Sequence, residues 1–200
     1  MKIPKTWSDL TIAQFQRLTS VQHGVFDFAV EQEIAVLSVL TELTTEQLES
    51  MPKIRLVEMA RATDFIKHPI SDKLNKRFKI GAKVFDVLLK AEEITAEQFI
   101  MLNKYTENEA TTTDNLHYIL AVLTNERAGI WGRKKPFDFD FENKALLFQE
   151  FLSIDKAFAP SVFFCEVYKS WLNAGETYLL QRAKELEKMA KMELKELGKK

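Results

Sequence analysis

The sequence contains a single cysteine, Cys165, and only six glycines. One cysteine cannot form an intramolecular disulfide, which excludes the cross-linked scaffolds typical of small secreted proteins. The glycines are isolated along the chain, and none forms part of a glycine-rich loop that binds phosphates or dinucleotides. Cys165 follows two phenylalanines in an apolar segment, a setting that favours a buried structural thiol over a reactive nucleophile.

The chain also lacks an excess of charge of either sign, because 28 basic residues nearly balance 29 acidic ones. A near-neutral chain has no global positive field to attract nucleic acid or an anionic membrane. Its first residues combine charge and proline where a signal peptide needs an apolar run, and its longest apolar stretches are too short to span a membrane. We therefore expect a protein of the cytoplasm with no membrane partner, and the charge balance disfavours a nucleic-acid partner.

Residues that could support catalysis or metal binding are scattered. The histidines at 23, 68 and 117 have no second histidine or cysteine three or four positions away, so zinc-ligand spacing is absent. Asp138 and Asp140 alternate with phenylalanines, a pattern typical of an extended segment rather than of an acid–base pair. The sequence predicts no enzyme activity, no catalytic residue, no cofactor and no metal site.

What the sequence does contain is a large apolar fraction, 46% of the residues, with fifteen phenylalanines. This fraction is sufficient for a folded core. Apolar residues recur three and four positions apart along most of the chain, and threonine-to-glutamine capping boxes begin two of the runs. The pattern predicts a mostly α-helical fold. The predicted helices cover residues 12–20, 28–43, 44–51, 53–66, 95–107, 115–126, 144–151 and 161–197.

One segment has the two-residue alternation of β-strands. Phe78 and Ile80 precede the pair Gly81-Ala82, and Phe85 and Val87 follow it. This arrangement predicts a short hairpin with its turn at Gly81-Ala82. Two strands alone are only marginally stable, so the hairpin must pack on helices. The glycine-containing stretch 129–141 is predicted to be a loop.

Two pairs of segments resemble each other at nearly the same offset. Residues 11–15 resemble residues 95–99, 84 positions later, and residues 35–41 resemble residues 118–124, 83 positions later. The recurrence indicates a duplicated unit of one capped helix and one long buried helix, although two independent helix starts of good capping sequence explain it equally well.

The predicted organisation has three parts. Residues 1–69 form an N-terminal helical unit with an extended arm. Residues 70–172 contain the hairpin and a second helical unit. Residues 173–200 form a charged, amphipathic C-terminal helix, since apolar residues recur at helical spacing among lysines and glutamates.

Three segments are candidates for binding partner proteins. The N-terminal arm contains Ile3, Pro4 and Trp7, and the 131–137 loop combines aromatic with basic residues, types that are enriched at binding hot spots. The narrow apolar stripe of the C-terminal helix is typical of packing on a partner helix. The alternatives are a solvated loop anchored by a buried tryptophan and a frayed terminal helix. The candidate residues of the loop and the helix are Trp131, Arg133, Lys134, Lys135, Phe137, Leu179, Leu186, Met189 and Leu194.

The order of these motifs is similar to that in a group of small proteins encoded among the tail and structural genes of tailed bacteriophages. The resemblance begins with Ile3-Pro4, Trp7-Ser8-Asp9-Leu10-Thr11 and Gln14-Phe15. It continues through the Phe78–Phe85 hairpin, the Ile94–Phe99 segment and Val162-Phe163-Phe164. It spans about residues 3 to 172 and leaves the charged C-terminal segment outside.

The resemblance implies a non-enzymatic virion protein. The group includes tail-assembly chaperone-like proteins, baseplate or hub assembly factors, and ring proteins near the portal and tail of podoviruses. We expect a homo-oligomeric ring or hub component in the tail or neck of the virion, bound to portal, tail or hub proteins. Two alternatives stay open. One is a tail-assembly chaperone that binds a helical partner of the tape-measure type, and the other is a helical nucleic-acid-binding or regulatory module.

Overall fold

The computed structural model describes residues 3–90, 93–108, 111–128, 133–134 and 141–165. The chain divides into two compact units, Met1–Ser161 and Val162–Lys200. Within the second unit, the described residues 162–165 are helical. The predicted mostly α-helical fold is confirmed. The predicted C-terminal helix at 173–200 lies outside the described residues.

Four α-helices and two short 3₁₀ turns precede the first strand. The first 3₁₀ turn is Trp7–Asp9. At the start of the first helix, the Gln14 N–H donates to Thr11 Oγ1 at 3.2 Å and the Thr11 N–H donates to Gln14 Oε1 at 3.0 Å, so the predicted capping box is confirmed. The helices up to the first strand are α1 (Ile12–Gln22), α2 (Ala29–Thr41), α3 (Thr45–Glu49) and α4 (Lys53–Ala62), followed by a second 3₁₀ turn, Asp64–Lys67.

The remaining part of the first unit alternates strands and helices. Its elements are β1 (Arg77–Ile80), β2 (Lys83–Val87), α5 (Ala96–Thr106), α6 (Leu116–Val122), β3 (Thr124–Ala128), β4 (Arg133–Lys134) and α7 (Phe141–Phe151). Residues 154–165 are helical, and we label this last helix α8.

The predicted β-hairpin is confirmed, and it belongs to a larger sheet within the same chain. The strands are antiparallel in the order β1-β2-β3-β4. Ile80 and Lys83 flank the two-residue turn, in which Gly81 has φ of +57°. A positive φ at the first turn residue is the conformation that glycine adopts most readily in a tight hairpin.

The predicted helix over 115–126 is wrong in its last four residues, because α6 ends at Val122 and β3 begins at Thr124. Thr124 Oγ1 donates to the Leu120 carbonyl at 2.8 Å, and the Leu88 N–H donates to the Leu123 carbonyl at 2.8 Å. Pairing with the hairpin therefore replaces the next helical turn. The residues of β3 are mostly polar and show no apolar alternation, so the sequence contains no strand signal where the helix ends.

Three further boundaries differ from the prediction by more than two residues. The helix expected over 53–66 ends at Ala62, where Thr63 Oγ1 donates to the Ala60 carbonyl at 3.0 Å and a 3₁₀ turn follows. The loop expected over 129–141 contains β4, and Phe141 begins α7 rather than an extended segment. The last helix begins at residue 154 rather than at 161. Apart from Phe141, the Asp138–Phe141 segment lies outside the described residues.

The main hydrophobic core combines both predicted helical units with the sheet. At its centre Phe148 of α7 contacts the two aromatic rings of the hairpin edge-on, with centroid distances of 5.2 Å to Phe78 and 4.8 Å to Phe85. A smaller core joins α2, α3 and α4 through Leu37, Leu48 and Met59. The buried residues of the main core are Leu10, Ile12, Leu18, Leu40, Phe78, Phe85, Val87, Leu116, Leu120, Ala121, Ala145, Phe148, Leu152, Ile154 and Ala157.

The two segments with the repeat pattern have features in common. Helices α1 and α5 each have 11 residues and a threonine–glutamine capping box. The hydroxyl groups of Thr41 and Thr124 each donate a hydrogen bond to the carbonyl four residues earlier. The buried helices that follow differ, however, since α2 has 13 residues and α6 has 7. Duplication therefore stays a prediction.

Candidate functional site

A cleft of about 720 Å³ lies between α2 and α4. It forms because each helix presents a stripe at helical spacing to the other. The α2 stripe includes Ala29, Glu33 and Val36, and the α4 stripe includes Val57 and Arg61. We name this the α2–α4 cleft. Its complete lining is Gln22, Ala29, Gln32, Glu33, Val36, Leu37, Val57, Ala60, Arg61, Thr63, Asp64, Ile66 and Lys67.

The cleft has an apolar floor and charged edges. Leu37 and Thr63 are buried at its base, and Val36 and Ile66 are half-buried beside them. Both acidic and basic side chains stand exposed around the opening. A concave surface of this kind, with apolar contact area inside and charges at the rim, is typical of a binding groove for a helix or a loop.

Opposite charges face each other across the opening. Lys67 Nζ lies 2.7 Å from Asp64 Oδ1. The Asp64 hydrogen bond and its charge raise the pKa of Lys67, and the Glu33 carboxylate on the α2 wall adds to this effect. The hydrogen bond from Lys67 lowers the pKa of Asp64 in turn. Arg61, also at the opening, has no ion-pair partner among the described residues, so its guanidinium can pair with a bound partner.

Three exposed apolar side chains lie close in sequence to the lining residues of the cleft. Phe28, next to the lining residue Ala29, is 66% exposed, and Ile54, one helical turn before Val57, is 65% exposed. Val25, in the loop between α1 and α2, is 98% exposed. We call these three residues, Val25, Phe28 and Ile54, the apolar rim. Exposed apolar groups beside a concave surface are a feature of protein interaction sites.

The residues of the α2–α4 cleft were not among the predicted partner-binding residues. Their apolar members fit the stripe of a buried helix, so the sequence places them in a core. One signal in the sequence could have indicated a groove: these two helical stripes contain Ala29 and the charged residues Glu33 and Arg61. A fully buried face would exclude such charges.

The predicted N-terminal candidates lie against this chain's own core. Pro4 is buried, and Ile3 packs on the small core. Trp7 Nε1 donates to the His68 carbonyl at 3.0 Å, and the Trp7 ring contacts Phe65 edge-on at 5.4 Å. The Trp7 ring, which the sequence predicts to bind a partner, therefore contacts residues of its own chain.

The other predicted candidates are only partly described. Arg133 and Lys134 form β4, where they pair with Ala128 and Arg127 of β3. They are therefore part of the sheet rather than of a loop. Seven candidate residues lie outside the described part of the chain. These are Trp131, Lys135, Phe137, Leu179, Leu186, Met189 and Leu194.

The histidines and the cysteine are separated in the fold. His23 follows α1 and is exposed, His68 is exposed, and His117 is 5% exposed on α6. Cys165 is half-buried. In the ranges that the structure describes, no three residues of the types His, Cys, Asp and Glu are grouped as a metal site. No helix in those ranges is both long and apolar enough to cross a membrane.

His117 belongs to a buried polar network that joins three helices. Gln16 Nε2 of α1 lies 3.1 Å from His117 Nδ1, 3.0 Å from the Thr113 carbonyl and 2.7 Å from the Asp114 carbonyl. Gln149 Nε2 of α7 donates to Gln16 Oε1 at 2.8 Å. Because an amide nitrogen does not accept hydrogen bonds, this geometry favours a neutral imidazole with Nδ1 as the acceptor.

We expect this network to make stability depend on pH. Burial lowers the pKa of His117, whereas an unfolded histidine titrates near about 6.5. The unfolded chain therefore binds more protons, and the free energy of unfolding falls as the pH drops through that value towards the lower folded pKa. Urea unfolding at neutral and mildly acidic pH measures the slope, and His117→Asn should reduce it. An equal slope in both proteins would assign the pH dependence to other groups.

Comparison of the chain with protein-family models, with curated proteins and with solved structures finds no match.

Proposed function

We propose that this protein is a non-enzymatic structural component of a tailed-phage virion, of the ring or hub type, and that it assembles through the α2–α4 cleft and its apolar rim. The resemblance of its motif order to phage tail-module proteins supports the biological setting. The observation that supports assembly is the cleft itself, with its exposed Phe28 and Ile54. A ring requires a concave surface on one subunit and a complementary surface on the next.

Solution mass tests this proposal. We expect multi-angle light scattering of the full chain to show a discrete oligomer whose population rises with concentration. Phe28→Ser and Ile54→Ser should each weaken association by about tenfold or more, because each removes apolar area that assembly buries. Serine is also a favoured N-cap residue, so the Phe28 substitution preserves the start of α2.

Ile100→Ser is the matched control. Ile100 lies on α5, is 68% exposed and is not among the lining residues of the cleft. The substitution removes a similar apolar area, so it should leave the oligomer unchanged. Equal weakening by all three substitutions would indicate non-specific association, and a monomer at every concentration would contradict self-assembly through the cleft.

A second candidate is a tail-assembly chaperone that binds a helical segment of a tape-measure-type protein. The same cleft favours it, since two helices with an apolar floor between them can accept a third, amphipathic helix. The light-scattering experiment separates the two candidates. A chaperone would be monomeric alone, and Ile54→Ser would reduce its affinity for an amphipathic helical peptide without changing its mass.

A further inference from the structure

The outer edge of the sheet is formed by β1, on its side away from β2. Within the described ranges, the backbone of Arg77–Ile80 forms hydrogen bonds with no element other than β2. An edge strand presents N–H and C=O groups in a row, and a further strand can pair with them. This edge lies in the sheet, apart from the residues that line the α2–α4 cleft.

The register shows which backbone groups point outward. The Val87 N–H donates to the Lys76 carbonyl at 3.0 Å, so this pair is hydrogen-bonded. Hydrogen-bonded and non-hydrogen-bonded pairs alternate along an antiparallel ladder. Arg77 and Lys79, opposite Asp86 and Val84, therefore turn their N–H and C=O groups away from β2.

An independent bond on the other side of β2 supports this assignment. The Leu88 N–H donates to the Leu123 carbonyl at 2.8 Å, which makes that pair hydrogen-bonded between β2 and β3. By alternation the Asp86 backbone faces β3 and hence faces away from β1. Arg77, the register partner of Asp86, therefore directs its own backbone groups to the outer edge.

The face of the sheet beside this edge is positively charged. Arg77 and Lys79 place their side chains on the exposed face, since the intervening Phe78 points into the core. Arg77 Nε and Arg127 Nε each lie 2.6 Å from one carboxylate oxygen of Asp86. The two guanidinium groups therefore bind one carboxylate, which holds both in fixed orientations, and Lys79 adds a third cation to the same face.

We propose that the outer edge of β1 binds an extended segment of a partner protein with acidic side chains at alternate positions. The segment adds a fifth strand to the sheet by β-augmentation. Residues directly opposite Arg77 and Lys79 pair with them through backbone hydrogen bonds and project side chains onto the same face. Acidic residues at those positions meet the basic side chains, and the apolar residues between them face the core side of β1.

The charges distinguish this partner from two others. If the β1 edges of two copies paired, the cations at 77 and 79 would crowd together, and like charges across strands are destabilising. A nucleic acid has no backbone N–H to pair with the outward carbonyls of β1. Its phosphates would also approach the Asp86 carboxylate between the two arginines.

Fluorescence anisotropy with a labelled peptide of alternating glutamate and valine tests the proposal on the full chain. We expect saturable binding that Lys79→Glu weakens by about tenfold, because one attractive charge becomes repulsive. Lys73→Glu is the matched control. It changes the net charge equally on an exposed residue before β1, and it should change the affinity less than twofold.

Two N-methylated peptides of identical charge test the strand pairing without altering the protein. The glutamates lie opposite Arg77 and Lys79, so their N–H groups point at β1, whereas the valine N–H groups point away. Methylation of the glutamate nitrogens should abolish binding, and methylation of the valine nitrogens should preserve it. Equal binding of both peptides would overturn β-augmentation.

Binding of a single-stranded oligonucleotide that depends on Lys79, without binding of the peptide, would also overturn the proposal in favour of a nucleic-acid surface. Ile54→Ser, the variant at the rim of the α2–α4 cleft, is the control that separates this proposal from assembly through the cleft. It should leave peptide binding unchanged, so failure at the β1 edge and failure of assembly through the α2–α4 cleft are distinguishable.

Discussion

Phe148→Ala should lower the free energy of unfolding by about 3–5 kcal/mol, the range for removing a buried phenylalanine. Phe148 is fully buried and packs edge-on against both Phe78 and Phe85, so the substitution leaves a cavity between α7 and the hairpin. The hairpin depends on this contact, because two short strands are marginal without a packed face. Urea unfolding followed by far-ultraviolet circular dichroism measures the loss.

Phe151→Ala is the matched control on the same helix. Phe151 is 58% exposed at the end of α7, and its removal opens no cavity. We expect a change within about 0.5 kcal/mol, as for most surface substitutions. A loss below about 1 kcal/mol for Phe148→Ala would contradict the central place of this ring in the core.

The sequence predicted the elements whose signals are local. The capping box at Thr11 and Gln14 requires only residues three positions apart, and the hairpin turn requires only Gly81 at the correct place. Phe78 lies between the basic residues Arg77 and Lys79, an alternation that marks the inner face of β1, and Phe85 is its partner across the hairpin. Both elements formed as predicted.

The change from α6 to β3 could not be predicted in the same way. The apolar run of α6 ends at Leu123, and the strand residues that follow, Thr124–Ala128, are mostly polar and show no apolar alternation. The choice depends on the hairpin, because the N–H of Leu88, directly after β2, donates to the carbonyl of Leu123, more than thirty positions later in the sequence. A hydrogen bond between residues so far apart in the sequence cannot be inferred from a local pattern.

The α2–α4 cleft depends on how two helices meet. The sequence indicates that Leu37 and Val57 are apolar, but it does not reveal that the helices separate enough to leave a groove above them. Trp7 shows the opposite case. A tryptophan near a terminus suggested a partner contact, whereas Phe65 and the His68 carbonyl lie within the same chain and occupy its ring and its N–H. Whether an apolar side chain is exposed for a partner therefore depends on how the helices and turns pack, which the sequence does not reveal.

Gln16→Met should lower the free energy of unfolding by about 2 kcal/mol, within the range for leaving buried polar groups without partners. Methionine preserves the length of the side chain, so the loss reports hydrogen bonds rather than volume. The carbonyls of Thr113 and Asp114 lose their amide donor, and Gln149 loses its acceptor. Urea unfolding at neutral pH measures the effect. Gln22→Met is the control, because Gln22 lies exposed on the same helix and should change stability by less than about 0.5 kcal/mol.

A double-mutant cycle separates the network from its individual contacts. Gln149→Met alone should cost about 1 kcal/mol, since it removes only the 2.8 Å bond to Gln16 Oε1. That bond is already absent in Gln16→Met, so the double variant should be more stable than the sum of the two losses predicts, by about 0.5–1 kcal/mol. Strict additivity would show that α1 and α7 are not coupled through these side chains. A coupling of the expected sign would show that the two amides link α1 to α7, the helix that carries Phe148.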